Sequence, residues 1–453
     1  MTVFERWVNE SLFTSSIRYP DRRPFIVKSF LVIGLFAFLC VAVVAQDHTT
    51  HDHASMPGMT MPEQSLPSPH ENSGTAWQPA STPSYAWSMT EGNWMLMAHG
   101  ELFLTYNQQG GPHGVGKLES ANWLMTMEQH KLGSGTLLLR QMFSAEPLTV
   151  PHGGFPELFQ TGETYHGLPI VDHQHPHNAF GELAAYYTLP ISDKISWLLY
   201  GGPVGEPALG PVTFLHRASA DENPAAPLSH HLQDSTHISF GVVTTGFMLG
   251  KFKVEGSAFN GREPGEERWD IQLAALDSWS VRGSVAPTRN WTAQYSYGYL
   301  VKPEALEPGD QTRQTASIAY NRPFTRGNWA NTFVWGRRHK ELAGTTQNSY
   351  LFESTLNFLS KNYVYTRLEL VDKDELFPDV LLPDMPLLSA QSFRIGAFTF
   401  GGVRDLWRTE KFQLGLGGDV TFYSKPAALD PSYGANPVSF HVFLRVRPGP
   451  HQH

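Results

Sequence analysis

Residues 291–299 read WTAQYSYGY, in which every second side chain is apolar or aromatic and the positions between are small or polar. Residues 251–259, KFKVEGSAF, show the same period, with lysine, glutamate and serine on the face opposite the apolar one. A two-residue period is that of a β-strand with one apolar face. These stretches therefore predict a chain built from such strands.

The connections between strand-like segments favour a transmembrane barrel over a soluble sandwich. Links after every second segment are short, as at 249–250 and 360–361, whereas the alternate links are longer, above all 145–177 and 204–235. Outer-membrane barrels have an even number of strands, short periplasmic turns and longer external loops. In a soluble sandwich, loop lengths are not expected to alternate between short and long along the chain. We predict strands near 94–107, 119–131, 135–144, 178–190, 194–203, 236–248, 250–261, 268–286, 290–301, 312–321, 328–339, 347–359, 362–373, 391–406, 411–424 and 437–447.

This pattern defines the fold class and most of the domain organisation. We predict an all-β chain, with a transmembrane antiparallel β-barrel of about 16 strands over residues 91–453, in the outer membrane of a Gram-negative bacterium. Outer-membrane lipid and the barrel assembly machinery are the expected partners. The charge balance, 33 basic against 42 acidic residues with a net charge of -9, argues against a nucleic-acid partner.

The amino terminus has the features of an export signal. The apolar run 29–45, SFLVIGLFAFLCVAVVA, follows several basic residues, which predicts a signal peptide over residues 1–45. The run is also long enough to span a bilayer, so a retained anchor is the alternative. Cys40, the single cysteine, lies in this run. A disulfide framework, a cysteine zinc site and an iron–sulfur cluster are thereby excluded.

Residues 46–90 are polar and proline-rich, which predicts a disordered periplasmic tail. Its histidines and methionines follow two similar spacings, H-x-x-H-x-H and then M-x-x-M-x-M. Thioether sulfur suits Cu(I) and imidazole suits Cu(II), Ni(II) and Zn(II). A segment with both can bind copper in either oxidation state, and the alternative is a plain solvated linker. The predicted ligands are His48, His51, His53, Met56, Met59 and Met61.

A second group of histidines lies in the two longest loops. His173, His175 and His177 stand at i, i+2 and i+4, which places them on one side of an extended chain. Imidazoles converging from both loops could bind a divalent ion. The alternative is that they are polar residues of a porin-like constriction. The second loop and the start of the next strand contribute His216, His230, His231 and His237.

The sequence contains no catalytic motif of the common kinds: no G-x-S-x-G, no phosphate-binding glycine-rich loop and no H-E-x-x-H. A hydrolase arrangement that uses Ser235 and His237 is a weak alternative. We therefore expect that the protein is not an enzyme.

The order signal peptide, His/Met tail and outer-membrane barrel resembles the copper resistance protein B family of Gram-negative bacteria. The resemblance rests on the six tail residues and the architecture, and the tail here is shorter, with fewer methionine repeats. Residues 218–237 and 259–264 (FNGREP) resemble a family of uncharacterised bacterial outer-membrane proteins. The first resemblance implies copper as the bound ion.

Three functions follow from these features. The first is an outer-membrane barrel that binds or passes a transition metal, copper by resemblance, with the tail as periplasmic ligand. The second is a general porin or solute channel with no metal role. The third is an exported, soluble, β-rich binding protein.

Overall fold

The structure, a computed structural model, describes residues 73–150, 153–377 and 391–450. The helical elements in these ranges are short: α1 (Glu146–Thr149), α2 (His230–Gln233), α3 (Asp430–Tyr433), and 3-10 turns at Phe214–His216, Ser235–His237 and Ala427–Leu429. No helix of the described ranges is long and apolar enough to cross a bilayer. The strands are β1 (Ala86–Glu91), β2 (Trp94–Gln108), β3 (Gly116–Glu119), β4 (Asn122–Leu132), β5 (Gly135–Phe143), β6 (Phe155–Tyr165), β7 (Leu168–Gln174), β8 (Phe180–Ser192), β9 (Ile195–Gly205), β10 (Ser239–Leu249), β11 (Phe252–Phe259), β12 (Ser278–Thr288), β13 (Trp291–Leu300), β14 (Gln311–Phe324), β15 (Gly327–Lys340), β16 (Thr345–Phe358), β17 (Asn362–Lys373), β18 (Phe393–Arg408), β19 (Phe412–Ser424) and β20 (Val438–Pro448).

Sixteen of these strands form one closed antiparallel barrel. Each pairs with the next along the chain from β8 to β20, and β2, β4, β5 and β8 complete the ring. The barrel closes where β20 pairs with β2, from Leu102↔Val446 to Gln108↔Phe440. The short strand β1 pairs with the first half of β2, and β3 pairs with its second half. The predicted fold class is confirmed.

Short and long connections are separated by parity, as predicted. One end of the barrel carries tight links, 133–134, 193–194, 250–251, 289–290, 325–326, 359–361 and 409–411. The other end carries the two longest connections, 144–179 and 206–238. Both long connections place residues inside the barrel.

The two faces of each barrel strand differ in polarity. In β11, Phe252 and Val254 point outward and are 59% and 58% exposed, whereas Lys253 and Glu255 point inward and are 0% and 2% exposed. The same alternation of an exposed apolar and a buried polar residue runs along β20 and most of β17. An apolar outer band and a polar interior are the construction of an outer-membrane β-barrel.

The structure corrects two predicted boundaries. Disorder was predicted up to residue 90, but residues 73–85 lie within the barrel and Ala86–Glu91 forms β1, because charged groups of the inner wall bind this segment. A strand was predicted from 268, but β12 begins at Ser278. Ile271, in the stretch read as strand, packs instead against buried Val204 and Phe240.

The predicted signal peptide, residues 1–45, lies outside the described residues. So does most of the predicted tail, residues 46–72, with all six of its proposed copper ligands. Copper binding by the tail stays a prediction.

Candidate functional site

Three chain segments fold into the lumen and fill it. The first, the amino-terminal segment 73–85, is held by the inner wall through its backbone and hydroxyl groups. Lys253 Nζ donates to the carbonyl oxygen of Thr75, and Arg282 Nη2 donates to Thr75 Oγ1 at 2.8 Å. The Lys253 ammonium also lies 4.8 Å from the centre of the Trp77 ring. Segment 73–85 therefore covers inner-wall side chains that would face water in an open pore.

The second segment is the connection 144–179 between β5 and β8, which contains the hairpin β6–β7. Its Gln160 accepts a hydrogen bond from Lys373 Nζ of β17 at 2.7 Å. The ring of Phe159 stacks on Tyr433 with centroids 4.3 Å apart. The hairpin is thus packed against the far side of the barrel and against α3.

The third segment is the connection 206–238, and it is anchored by buried ion pairs. Arg217 Nε lies 2.6 Å from a carboxylate oxygen of Glu353 in β16. The Glu222 carboxylate forms ion pairs with two arginines of β20. Arg447 Nη2 lies 2.9 Å from Glu222 Oε1, and Arg445 Nη1 contacts Glu222 Oε2. Because these charges are buried, each needs its partner to offset the loss of water.

The second and third segments meet in a group of five buried histidines, which we call the histidine row: His175, His177, His230, His231 and His237. His177 and His237 have ring centroids 5.4 Å apart, and His237 and His230 have centroids 5.0 Å apart. His231 lies 5.1 Å from His230 and 5.4 Å from His175. The two histidine-bearing loops therefore converge inside the barrel.

His177, His230 and His237 each have an oxygen atom within hydrogen-bonding distance of Nδ1. His177 Nδ1 lies 2.8 Å from Glu146 Oε2, and His230 Nδ1 lies 2.7 Å from Asp234 Oδ1. His237 Nδ1 lies 2.9 Å from the carbonyl oxygen of Asp234. These oxygens accept a hydrogen bond when Nδ1 carries the proton, and in that tautomer Nε2 is the nitrogen with the lone pair.

Several ring nitrogens of the row lack a hydrogen-bond partner among the described residues. The Nε2 atoms of His177 and His237, and both ring nitrogens of His231, are buried with no hydrogen-bond partner among the described residues. His175 differs, because its Nε2 lies 3.1 Å from Glu163. A buried polar atom without a partner costs about 1–3 kcal/mol, so such atoms call for an explanation.

Burial also sets the charge state of three members of the row. Loss of water lowers the pKa of His175, His231 and His237 well below the ordinary 6.5, and neighbouring positive charges, including other histidines of the row, lower it further. These rings are therefore neutral at pH 7. Neutral imidazole is the form that binds metal ions.

The other predicted loop ligands lie elsewhere. His173 forms a hydrogen-bonding contact with the carbonyl oxygen of Val171, 3.1 Å from its Nδ1. His216 lies against Trp123 and His99, with centroids 4.6 Å and 5.6 Å away. In the part of the chain that the structure describes, no set of three or more His, Cys, Asp or Glu side chains is already arranged to hold a metal ion.

A cavity of about 40 Å³ lies beside the row, between the inserted segments and the wall. His177 is part of its lining, and no lysine or arginine is among its lining residues in the described chain. We call it the acidic cavity because five carboxylates line it: Glu101, Glu119, Glu146, Glu157 and Asp221. Burial raises the pKa of Glu157 to about 8, so a nearby cation would stabilise its charged form.

Two further cavities continue from the acidic cavity toward the end with the tight turns. A middle cavity of about 50 Å³ shares Glu101, Trp123, Leu215 and Asp221 with it. A larger vestibule of about 530 Å³ shares Thr82, Pro83 and Tyr85 with the middle cavity and opens among the turn residues. The four residues shared by the first two cavities are the neck between them.

Some of these features escaped the sequence analysis. Glu146 and Glu157 were not singled out, because they lie far from the histidines in sequence or on an irregular strand. His99, on β2, was also missed, although its inward position follows from strand alternation. The only sequence feature that could have linked Glu146 to His177 is that both residues lie in the same long loop.

No family model and no curated protein matches the chain. Solved structures match with low identity: an anion-selective porin from Comamonas acidovorans is 10% identical, with 78% of this chain and 99% of that chain covered and a TM-score of 0.47. OprB of Pseudomonas putida is 7% identical, with 79% and 94% covered and a TM-score of 0.48. Salmonella typhi OmpF, in complex with daunomycin, is 7% identical, with 80% and 100% covered and a TM-score of 0.47.

Proposed function

We propose that the protein is a porin-like channel for small cations, closed in the described conformation by its three inserted segments. The observation that carries the proposal is the acidic cavity, which five carboxylates line without a lysine or arginine in the described chain. Carboxylates facing a lumen favour cations over anions. A barrel of sixteen strands is wide enough for an aqueous channel once its contents move aside.

The succession of three cavities supports a route for the ion. An ion entering the vestibule would pass Arg289, Arg326 and Arg408, then Arg447 of the middle cavity. It would then reach the acidic cavity, whose carboxylates supply the preference for cations. Trp123 and Leu215 of the neck bound the cavities on both sides of it. Movement of segment 206–238, which carries Leu215, would widen it.

Conductance across planar bilayers tests the proposal. The full chain is inserted with a KCl gradient, and the reversal potential reports the ratio of K⁺ to Cl⁻ permeability. Leu215→Ala should raise the conductance, because it removes a wall of the neck. In that background Asp221→Asn should lower the K⁺ preference at pH 7, and Glu157→Gln should lower it above pH 8, since each then removes a charge from the acidic cavity. Glu267→Gln, at an exposed loop residue, is the matched control and should change nothing.

Two results would contradict the proposal. One is the absence of conductance in the Leu215→Ala protein when its heat-modifiable migration shows a folded barrel. The other is a preference for Cl⁻ that the acidic-cavity variants leave unchanged.

The copper role predicted from the tail is independent of this channel. Replacing the three tail histidines by alanine should weaken Cu(II) binding, and replacing the three tail methionines should weaken Cu(I) binding. Neither change should alter K⁺ conductance. Unchanged titrations for both variants would leave the tail a plain linker.

A further inference from the structure

We infer that His177, His230 and His237 form a binding site for one divalent transition-metal ion, with Nε2 of each ring as the ligand atom. This site is separate from the tail and goes beyond the proposed channel, because its test requires no ion flow. The three residues come from two different inserted segments, so a bound ion would join them.

Ring spacing is the first argument. Imidazoles that share a tetrahedral ion at a metal–nitrogen distance of roughly 2.0–2.1 Å have ring centroids about 5 Å apart. His237 is the common neighbour, 5.4 Å from His177 and 5.0 Å from His230. The three side chains are not already arranged around one point, so binding requires His177 and His230 to move closer to a common point beside His237.

The hydrogen bonds at Nδ1 are the second argument. A metal-binding histidine nearly always gives its other N–H to a carboxylate or a backbone carbonyl, which fixes the ring and raises its basicity. Glu146 does this for His177, and Asp234 does it for both His230 and His237, through its carboxylate and its carbonyl oxygen. In each ring Nδ1 is engaged by an oxygen, so Nε2 is the nitrogen that would bind an ion.

Unpartnered nitrogen atoms are the third argument. Nε2 of His177 and of His237 is buried and has no partner among the described residues. An ion at this point would satisfy both atoms at once. His175 is not included, because Glu163 occupies its Nε2 at 3.1 Å.

The donor set indicates the class of ion. Three neutral imidazoles suit Cu²⁺, Zn²⁺ and Ni²⁺, whereas Mg²⁺ and Ca²⁺ require oxygen ligands. The acidic cavity, whose lining includes both His177 and its partner Glu146, supplies an entry for a cation. The site therefore lies at the wall of the proposed pathway and is chemically distinct from its carboxylates.

The test uses the full chain, folded in detergent, with the tail silenced by alanine at His48, His51, His53, Met56, Met59 and Met61. Calorimetric titration with Zn²⁺ and, separately, Cu²⁺ should show one ion per chain, and Mg²⁺ should show none. The electron paramagnetic resonance spectrum of the Cu²⁺ form should show splitting from three nitrogen ligands. This last measurement needs no change in the site itself.

Single variants identify the ligands. His177→Gln, His230→Gln and His237→Gln should each weaken Zn²⁺ binding more than tenfold, because each removes one of three ligands. Glu146→Gln should weaken it by about 10–100-fold through the orientation of His177. His173→Gln is the matched control, since this histidine lies on the same segment and contacts only a backbone oxygen in the described chain. Heat-modifiable migration checks that every variant is folded.

Several outcomes would overturn the inference. They are no stoichiometric binding by the tail-silenced protein, a copper spectrum without nitrogen splitting, or equal losses in His173→Gln and His237→Gln. Loss of binding in His175→Gln or His231→Gln, with His177→Gln and His237→Gln unaffected, would also assign the ion to other residues and refute the site named here. None of these results bears on K⁺ conductance.

Discussion

Replacing Glu222 by glutamine should loosen segment 206–238 inside an intact barrel. The Glu222 carboxylate is buried between Arg445 and Arg447 of β20. Removing one partner of a buried ion pair costs about 3–5 kcal/mol. The lower end applies, because Arg445 keeps Asp405 and Arg447 keeps Gln413 as partners. A loss of about 3 kcal/mol multiplies the population of the open segment by on the order of 100.

Amide hydrogen exchange measures this opening directly. The backbone N–H groups of Ala220 and Asn223 donate within the segment, at 2.7 Å and 2.9 Å, so their exchange reports whether it is folded. They should exchange about 100-fold faster in Glu222→Gln, while barrel-strand amides keep their rates. Asp277→Asn is the control, because it breaks an exposed pair with Arg262 that is worth at most about 1 kcal/mol. Equal acceleration in the two variants, or loosening of the whole barrel, would refute the reasoning.

Three further predictions concern pH, packing and the lipid face. Burial raises the pKa of Asp221 to about 6 against the opposing charge of two nearby arginines, so this carboxylate gains a proton as pH falls through 6. The K⁺ preference of the opened channel should fall over that range, and Asp221→Asn should remove the step. Gly162→Ala should lower the free energy of unfolding by about 1–3 kcal/mol in denaturant titrations, because its φ is +132° and a Cβ would lie 2.5 Å from the His231 ring; an unchanged midpoint would contradict this packing. Leu368→Arg, at an outward position near the middle of β17, should cost about 2–4 kcal/mol in folding into vesicles, whereas Leu342→Arg, in an exposed turn, should cost nearly nothing.

The barrel strands could be predicted because lipid on one side and polar contents on the other impose a two-residue period over their whole length. Each predicted barrel strand overlaps a strand of the structure, and the parity of the links sets their order. The hairpin β6–β7 has no such signal. Its pairing shifts register twice, and Phe159, Glu163 and Asp172 adopt positive φ. No regular alternation survives in a strand of that kind.

The candidate site was only partly accessible from sequence. The spacing of His173, His175 and His177 predicted one shared side, and the structure brings the last two into the histidine row but turns His173 to a backbone oxygen. That the loops meet depends on ion pairs such as Arg217–Glu353, whose members are 136 residues apart. Sequence spacing carries no information on such a contact.

The two proposals give the lumen two kinds of cation site with different consequences. Carboxylates of the acidic cavity hold hard ions loosely, and conduction requires that an ion leave as easily as it enters. Three imidazoles on one transition-metal ion bind far more tightly, so such an ion is unsuited to rapid passage. His177 precedes β8, whereas His230 and His237 precede β10, and an ion shared among them would tie together two of the segments that close the lumen. If both proposals hold, a bound transition metal stabilises the closed state and weakly held cations are the transported solute.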